Sequence, residues 1–315
     1  IEVEVDAVSD GEETFIGGIM EHIEEAGIHS GDSTCVLPPY SLSEEEIEKI
    51  REYTKVISRG LKIIGLLNIQ YAIKNEQVYL LEVNPRASRT VPFVSKSIGI
   101  PLAKLAAKVM VGRKLKELLP QRLPRINHVS VKVPVFPFIK FSEVDFLLSP
   151  QMKSTGESMG IDKDLGKAFA KAYTGPNQLS GLPKTGTVFI SVKNKDKRGV
   201  VFLAKRLESL GFRIVATSGT ARVLANSGIK VEQVYKVKEG RPNIVDRLKN
   251  KEIDLVINTP SDGTSHIDSF SIRRSAIEYN IPCITTLSGA QAAINAIEGL
   301  LKEELEVKAL QDYFK

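Results

Sequence analysis

The chain has 315 residues, enough for about two domains that each bury a core of their own. Its 42% hydrophobic and 26% charged residues, without a low-complexity tract, exclude a disordered or fibrous protein. The net charge of +5 comes from Lys and Arg interspersed with Glu and Asp, a pattern that argues against a nucleic-acid surface and leaves small anions as the partners that a mild positive excess attracts.

Two alternating apolar runs flank Asp10-Gly11 and predict a hairpin over residues 1–20. The chain opens at Ile1 inside that strand pattern, which reads as a truncated or split chain. A polar stretch with two glycines, Glu21 to Asp32, follows as a loop. Ser43 and Glu46 form a capping box, and Ile47, Ile50, Tyr53, Val56 and Ile57 give the helix behind it one apolar face. Strands are expected at Leu66 to Ile73 and Val78 to Val83, then a helix from Pro101 to about Val111. Four prolines mark residues 112–137 as a surface connection with one strand near Val129 to Val135, and a short helix from Asp164 to Tyr173 follows.

Gly175-Pro176 to Leu182-Pro183 reads as a linker, dividing the chain into residues 1–176 and 177–315. Beyond it, strands beginning at Thr187, Phe212, Lys230, Leu255 and Cys283 alternate with helices, the pattern of a doubly wound parallel α/β sheet. Cys35 and Cys283 have no metal-ligand spacing and fit a reducing cytoplasm. No apolar run approaches the roughly 18 residues of a membrane span, and no signal-peptide pattern opens the chain.

Two constellations carry chemistry. On the paired strands, Glu82 and Asn84 are two apart and share a face that Gln70 on the neighbouring strand can join. Three hard oxygen donors of this kind suit Mg²⁺ beside nucleotide phosphates. Arg86 and Arg89 follow, placed to hold a phosphoryl group or small anion. A lone Glu82 is equally a solvated strand residue, so the argument rests on the five together. His22 and His29, seven apart, carry no metal signature and read equally well as locally bonded loop histidines. In the second half, Thr217-Ser218-Gly219-Thr220 opens a helix, while Lys197, Lys236 and Asn258 fall at or near the carboxyl ends of strands, where open α/β sheets bind ligands. Ordinary N-capping is the competing reading of the Thr217 to Thr220 run.

The runs Phe15 to Glu24 and Ala26 to Ser33, the motif Glu82-Val83-Asn84-Pro85-Arg86 and the run Thr90 to Lys96 closely resemble the second ATP-grasp unit of the carbamoyl-phosphate synthase large chain. The resemblance covers essentially the whole chain without large insertions. It implies the C-terminal ATP-grasp subdomain, an antiparallel sheet with helices, followed by a methylglyoxal-synthase-like α/β domain. It also implies Gln70, Glu82 and Asn84 as Mg²⁺ or Mn²⁺ ligands, Gly27, Ile28, His29 and Ser30 with Gln70 and Glu82 at ATP, and Arg86 and Arg89 at the reacting phosphoryl group. The implied reaction is phosphorylation of carbamate by ATP to carbamoyl phosphate, for pyrimidine and arginine biosynthesis. The remainder of the large chain and a glutaminase small chain are the implied partners.

By the same resemblance Lys197, Thr217, Thr220, Lys236 and Asn258 match effector-phosphate contacts for a nucleotide of the UMP or IMP class. The run Glu239-Gly240-Arg241-Pro242 lacks the catalytic Asp of methylglyoxal synthases, so the second half reads as a binding module. Pro260, Val133 and Cys283 depart from the family's effector residues, while Glu24, Asp32 and Thr285 keep them; ornithine activation is therefore not expected. The glycine-rich lid of an ATP-grasp enzyme does not precede Ile1, so turnover is expected of the complete large chain and not of this segment alone. The alternative is an isolated, non-catalytic module that senses nucleotides.

Overall fold

A computed structural model describes residues 1–137, 147–174, 181–259 and 265–314. The first sheet has seven strands in the order β5-β4-β1-β2-β3-β6-β7. Its members are β1 (Glu2–Asp10), β2 (Thr14–His22), β3 (Cys35–Leu37), β4 (Ile64–Lys74), β5 (Gln77–Asn84), β6 (Val129–Val135) and β7 (Gly156–Asp162). All pairings within it are antiparallel. The predicted hairpin is β1 and β2, which turn where Asp10 Oδ1 accepts the Glu12 and Glu13 amides at 3.0 and 2.8 Å.

Alternation decides the two faces of this sheet. Val3, Val5 and Ala7 of β1 pack with Ile69 and Tyr71 beneath α1 (Glu44–Gly60), whose Ser43–Glu46 capping box forms as expected. On the other face Val8, Met20 and Leu37 are covered by α2 (Val91–Ile98), α3 (Leu102–Met110) and α4 (Leu115–Leu118). The strand expected at Val129 to Val135 forms, but the sequence pattern put it in a surface connection. Instead β6 is an inner strand whose central five residues are buried, because β3 and β7 flank it and α5 (Leu165–Tyr173) covers it.

The second sheet is parallel, in the order β10-β9-β8-β11-β12. It comprises β8 (Thr187–Ser191), β9 (Arg213–Thr217), β10 (Val231–Val234), β11 (Leu255–Asn258) and β12 (Cys283–Ile284). The helices between and after them are α6 (Lys197–Ser209), α7 (Ser218–Asn226), α8 (Ile244–Lys249), α9 (Ser265–Glu278) and α10 (Leu287–Lys302). The strand order reverses between β8 and β11, the switch point of a doubly wound sheet. The 176/177 boundary and the first part of the expected linker fall on residues 175–180, outside the described residues, as does Pro260; the linker's last residues are described, and Leu182 is buried in the hydrophobic core instead of exposed.

Candidate active site and effector edge

The antiparallel register builds the first site as rungs across one face. Glu4 of β1 pairs with Gln70 of β4, and Gln70 pairs with Glu82 of β5. One rung along, Asp6 pairs with Asn68 and Asn68 with Asn84. Directly paired residues project to the same side, so the six side chains form two parallel polar rows ending on the edge strand. Glu82 is exposed there, and Asn84 Oδ1 accepts Arg86 Nη2 at 3.3 Å while its Nδ2 is buried without a partner. The expected set Gln70, Glu82 and Asn84 thus offers amide and carboxylate oxygens from adjacent rungs, a hard donor set that fits Mg²⁺ or Mn²⁺.

The Gly27 to Ser30 segment lies against these rows. Gly27 takes φ +100°, a backbone conformation that favours glycine, and its amide donates to Glu2 Oε2 at 3.2 Å. Gln70 Nε2 donates to Ser30 Oγ at 3.1 Å. His29 is not a free imidazole: its Nδ1 accepts the Gly31 amide at 3.0 Å, capping a short 3-10 turn over Ser30–Asp32. Ile28 is half-buried beside it. Arg86 is exposed, whereas Arg89 is half-buried and donates to Ser154 Oγ at 3.1 Å, with Glu157 at 3.7 Å.

Sequence reading missed the polar floor behind these residues. A further row runs His22, Cys35, Lys132 across β2, β3 and β6, again by direct pairing. Lys132 has no exposed surface and its Nζ donates to the Ser30 carbonyl at 3.2 Å. Burial would lower the Lys132 pKa, but Cys35, Glu157, Glu4 and Glu24 outweigh it and hold the ammonium charged. Glu4, His22 and Cys35 bring ligand atoms within 4.8 Å of one another, as a soft metal centre would. Burial opposes charge on His22 too, yet Cys35 and Glu4 push it up to about 10.

At the second sheet, Ser191, Thr217 and Asn258 end strands β8, β9 and β11 on the carboxyl edge. Thr217 Oγ1 and Ser191 Oγ lie 3.1 Å apart, and Thr217 makes no capping bond to α7, contrary to the ordinary N-cap reading. Thr220 Oγ1 accepts the Val192 amide at 3.3 Å. Lys197 lies beside the start of α7, its Nζ 3.0 Å from where a Cβ on Gly219 would stand. Lys236 follows β10, one strand further out, and its amide donates to Glu239 Oε2 at 2.9 Å. Asn258 is engaged within the protein: its Nδ2 donates to the Ser191 carbonyl at 3.1 Å and its Oδ1 accepts buried Arg273 Nη1 at 3.1 Å. Ser191 and Arg273 had no local sequence signal; position at the switch point identifies them. Of the departures from the ornithine pattern, Val133 is buried in a hydrophobic cluster. Both Asp32 oxygens are taken by the Lys153 and Ser154 amides at 2.8 and 2.9 Å.

An antiparallel sheet of ATP-grasp type, carrying oxygen-donor rungs and paired arginines, is joined here to a parallel α/β sheet. Residues 1–118 match the family model described as carbamoyl-phosphate synthase L chain, ATP binding domain, and residues 199–285 match the MGS-like domain. The carbamoyl phosphate synthase large chain of Archaeoglobus fulgidus is 54% identical over 314 residues, covering 99% of this chain and 29% of its own length. The large chain of Methanobrevibacter smithii is 52% identical, with 99% and 29% covered. The Aquifex aeolicus protein named carbamoyl phosphate synthase large chain, C-terminal section, is 50% identical over all of this chain and 62% of its own length. The chain belongs to the carbamoyl phosphate synthase large-chain family and corresponds to its C-terminal part, spanning less than a third of the length of the full large chains. Among the described residues no helix is long and apolar enough to cross a membrane.

Proposed function

We propose that this segment forms the metal and phosphate floor of a carbamate-phosphorylating ATP-grasp unit, with a nucleotide-effector module behind it. The observation that carries the reading is the pair of rungs Gln70–Glu82 and Asn68–Asn84, which end at the edge where Arg86 and Arg89 follow. Gln70, Glu82 and Asn84 would hold Mg²⁺ or Mn²⁺, which supplies charge neutralisation between the phosphates of ATP. Arg86 and Arg89 would hold the transferred phosphoryl group, while Gly27 to Ser30, braced by Gln70 and Lys132, would lie along the nucleotide. Carbamate is itself the nucleophile, so the protein's work is positioning and electrostatics.

The rest of the large chain supplies what closes over ATP. A glutaminase small chain, the cytoplasm, and pyrimidine and arginine synthesis are the remaining parts of the proposal. In the complete enzyme, Glu82→Ala should lower ATP formation from carbamoyl phosphate and ADP by about 100-fold or more. Full activity in that variant overturns the site.

The carboxyl edge of the parallel sheet favours a second activity for the same chain. Thr217, Thr220, Lys197 and Lys236 would bind the phosphate of a UMP- or IMP-class effector. Calorimetry on this segment distinguishes the alternatives. Effector binding without ATP and metal affinity favours a purely regulatory module, and no nucleotide binding at all removes the effector role.

A further inference from the structure

Asp6 lies in β1, an inner strand of the sheet, with no exposed surface, and among the described residues no cation contributes to its environment. Its Oδ1 accepts Asn68 Nδ2 at 2.8 Å and Ser88 Oγ at 2.7 Å, and its Oδ2 accepts Thr90 Oγ1 at 2.6 Å. Glu4 Oε1 accepts the same Asn68 nitrogen at 2.8 Å. Ser88 and Thr90 are the two chain neighbours of Arg89, whose guanidinium reaches outward to Ser154 and Glu157. The backbone carrying Arg89 is therefore tied on both sides to one carboxylate in the middle of the sheet. A buried carboxylate two residues from Glu4 on the same face costs stability, which a neutral residue in its place would avoid.

We propose that Asp6 is the positioning residue of the arginine-bearing loop: through Ser88 and Thr90 it fixes the chain on either side of Arg89 and so aims Arg86 and Arg89 at the phosphoryl group. This rests on the phosphoryl-transfer reading of the site. The ionised carboxylate accepts from both hydroxyls by charge-assisted bonds; protonation removes that charge and turns one oxygen into a competing donor, which weakens the hold on the hydroxyls. Burial and the charge of Glu4 push Asp6 up to about 6, against the hydrogen bonds from Thr90, Asn68 and Ser88. The groups around it are Glu4 on its own strand, Asn68 on β4, and Ser88 and Thr90 before α2; the facing residue on β2 is Gly18, which adds no charge. The grip on the loop is complete above that pH and slackens as pH falls through it.

The test is ATP formation from carbamoyl phosphate and ADP by the complete enzyme, followed from about pH 5 to about pH 8. Asp6→Asn should raise KM for carbamoyl phosphate on the order of tenfold, leave KM for ADP unchanged and flatten the acid limb. Thr90→Val should act like Asp6→Asn, and Thr90→Ser, which keeps the hydroxyl, should act like the parent enzyme. An unchanged KM for carbamoyl phosphate in Asp6→Asn, or an acid limb that persists there, overturns the proposal. If Asp6→Asn does not fold, the Thr90 pair decides alone: equal KM in Val and Ser variants overturns it. Glu82→Ala separates the two levels. Full activity of that variant removes the phosphoryl-transfer site itself, whereas an inactive Glu82→Ala with an unaffected Asp6→Asn removes only the positioning role.

Discussion

His22 on β2 and Asp6 on β1 both make the fold less stable as pH rises, in separate windows. His22 has a folded pKa pushed to about 10, from an ordinary 6.5, by Cys35 and Glu4 against the effect of burial. The stability it contributes is fully present below about 6.5 and is lost as pH rises through about 10. Thermal melting of this segment should fall through the alkaline range, and His22→Gln should lower Tm at neutral pH and flatten that fall. An unchanged alkaline limb in the variant sinks the assignment. Asp6 is an acid pushed up from 3.8 to about 6, so folding disfavours its charge and stability declines as pH rises through that window. Little of this was legible in the sequence. The alternation Glu2-Val3-Glu4-Val5-Asp6 reads as a strand with one wet face, but all nine residues of β1 are buried. Its acids meet Asn68, Thr90 and His22, partners that register alone brings there.

Elements with a local signal were readable and the others were not. The capping box before α1, the strand pair β4 and β5, and the helix opening at Asp164 all carry their own periodicity or cap, and each formed within a few residues of expectation. By contrast β3 is three residues long, α2 is a single apolar face of eight residues with Pro92 in its first turn, and β7 alternates weakly around Gly160. The reason for Gly160 is tertiary: a Cβ there would collide with the backbone of Ala168 and Ala172 in α5. Gly166 plays the same part on the opposite side of α5, where a Cβ would stand 2.5 Å from the Asn295 carbonyl oxygen in α10. Gly166→Ala should therefore destabilise the protein by roughly 1–3 kcal/mol in urea denaturation. A cost near zero would mean that α5 and α10 are not in close contact.

At the scale of the whole molecule, the two sheets share a core. A single hydrophobic cluster runs from Ile23 just after β2 and Val36 and Val131 of the first sheet, through Ala168 and Phe169 of α5, to Ala293 and Ile297 of α10 and Val188 and Ile257 of the second. The end of the chain adds a second tie. After α10 it returns to the first sheet, where Tyr313 Oη donates to the Ile161 carbonyl at 3.1 Å, and Tyr313 and Phe314 meet His128 edge to face. Phe314→Ala should cost roughly 1–2 kcal/mol in the same denaturation experiment, less than a full core Phe because the ring is only half-buried. No loss at all would show that the returning tail adds nothing.

The shared core also limits how a message could travel. α5 and α10 pack at glycine-close distance, so a displacement of α10 would pass to α5 and from it to β6 and β7. Those strands carry Lys132, which holds the Ser30 carbonyl, and Glu157, which faces Arg89. Strain passed along that route would tighten or loosen a grip already made.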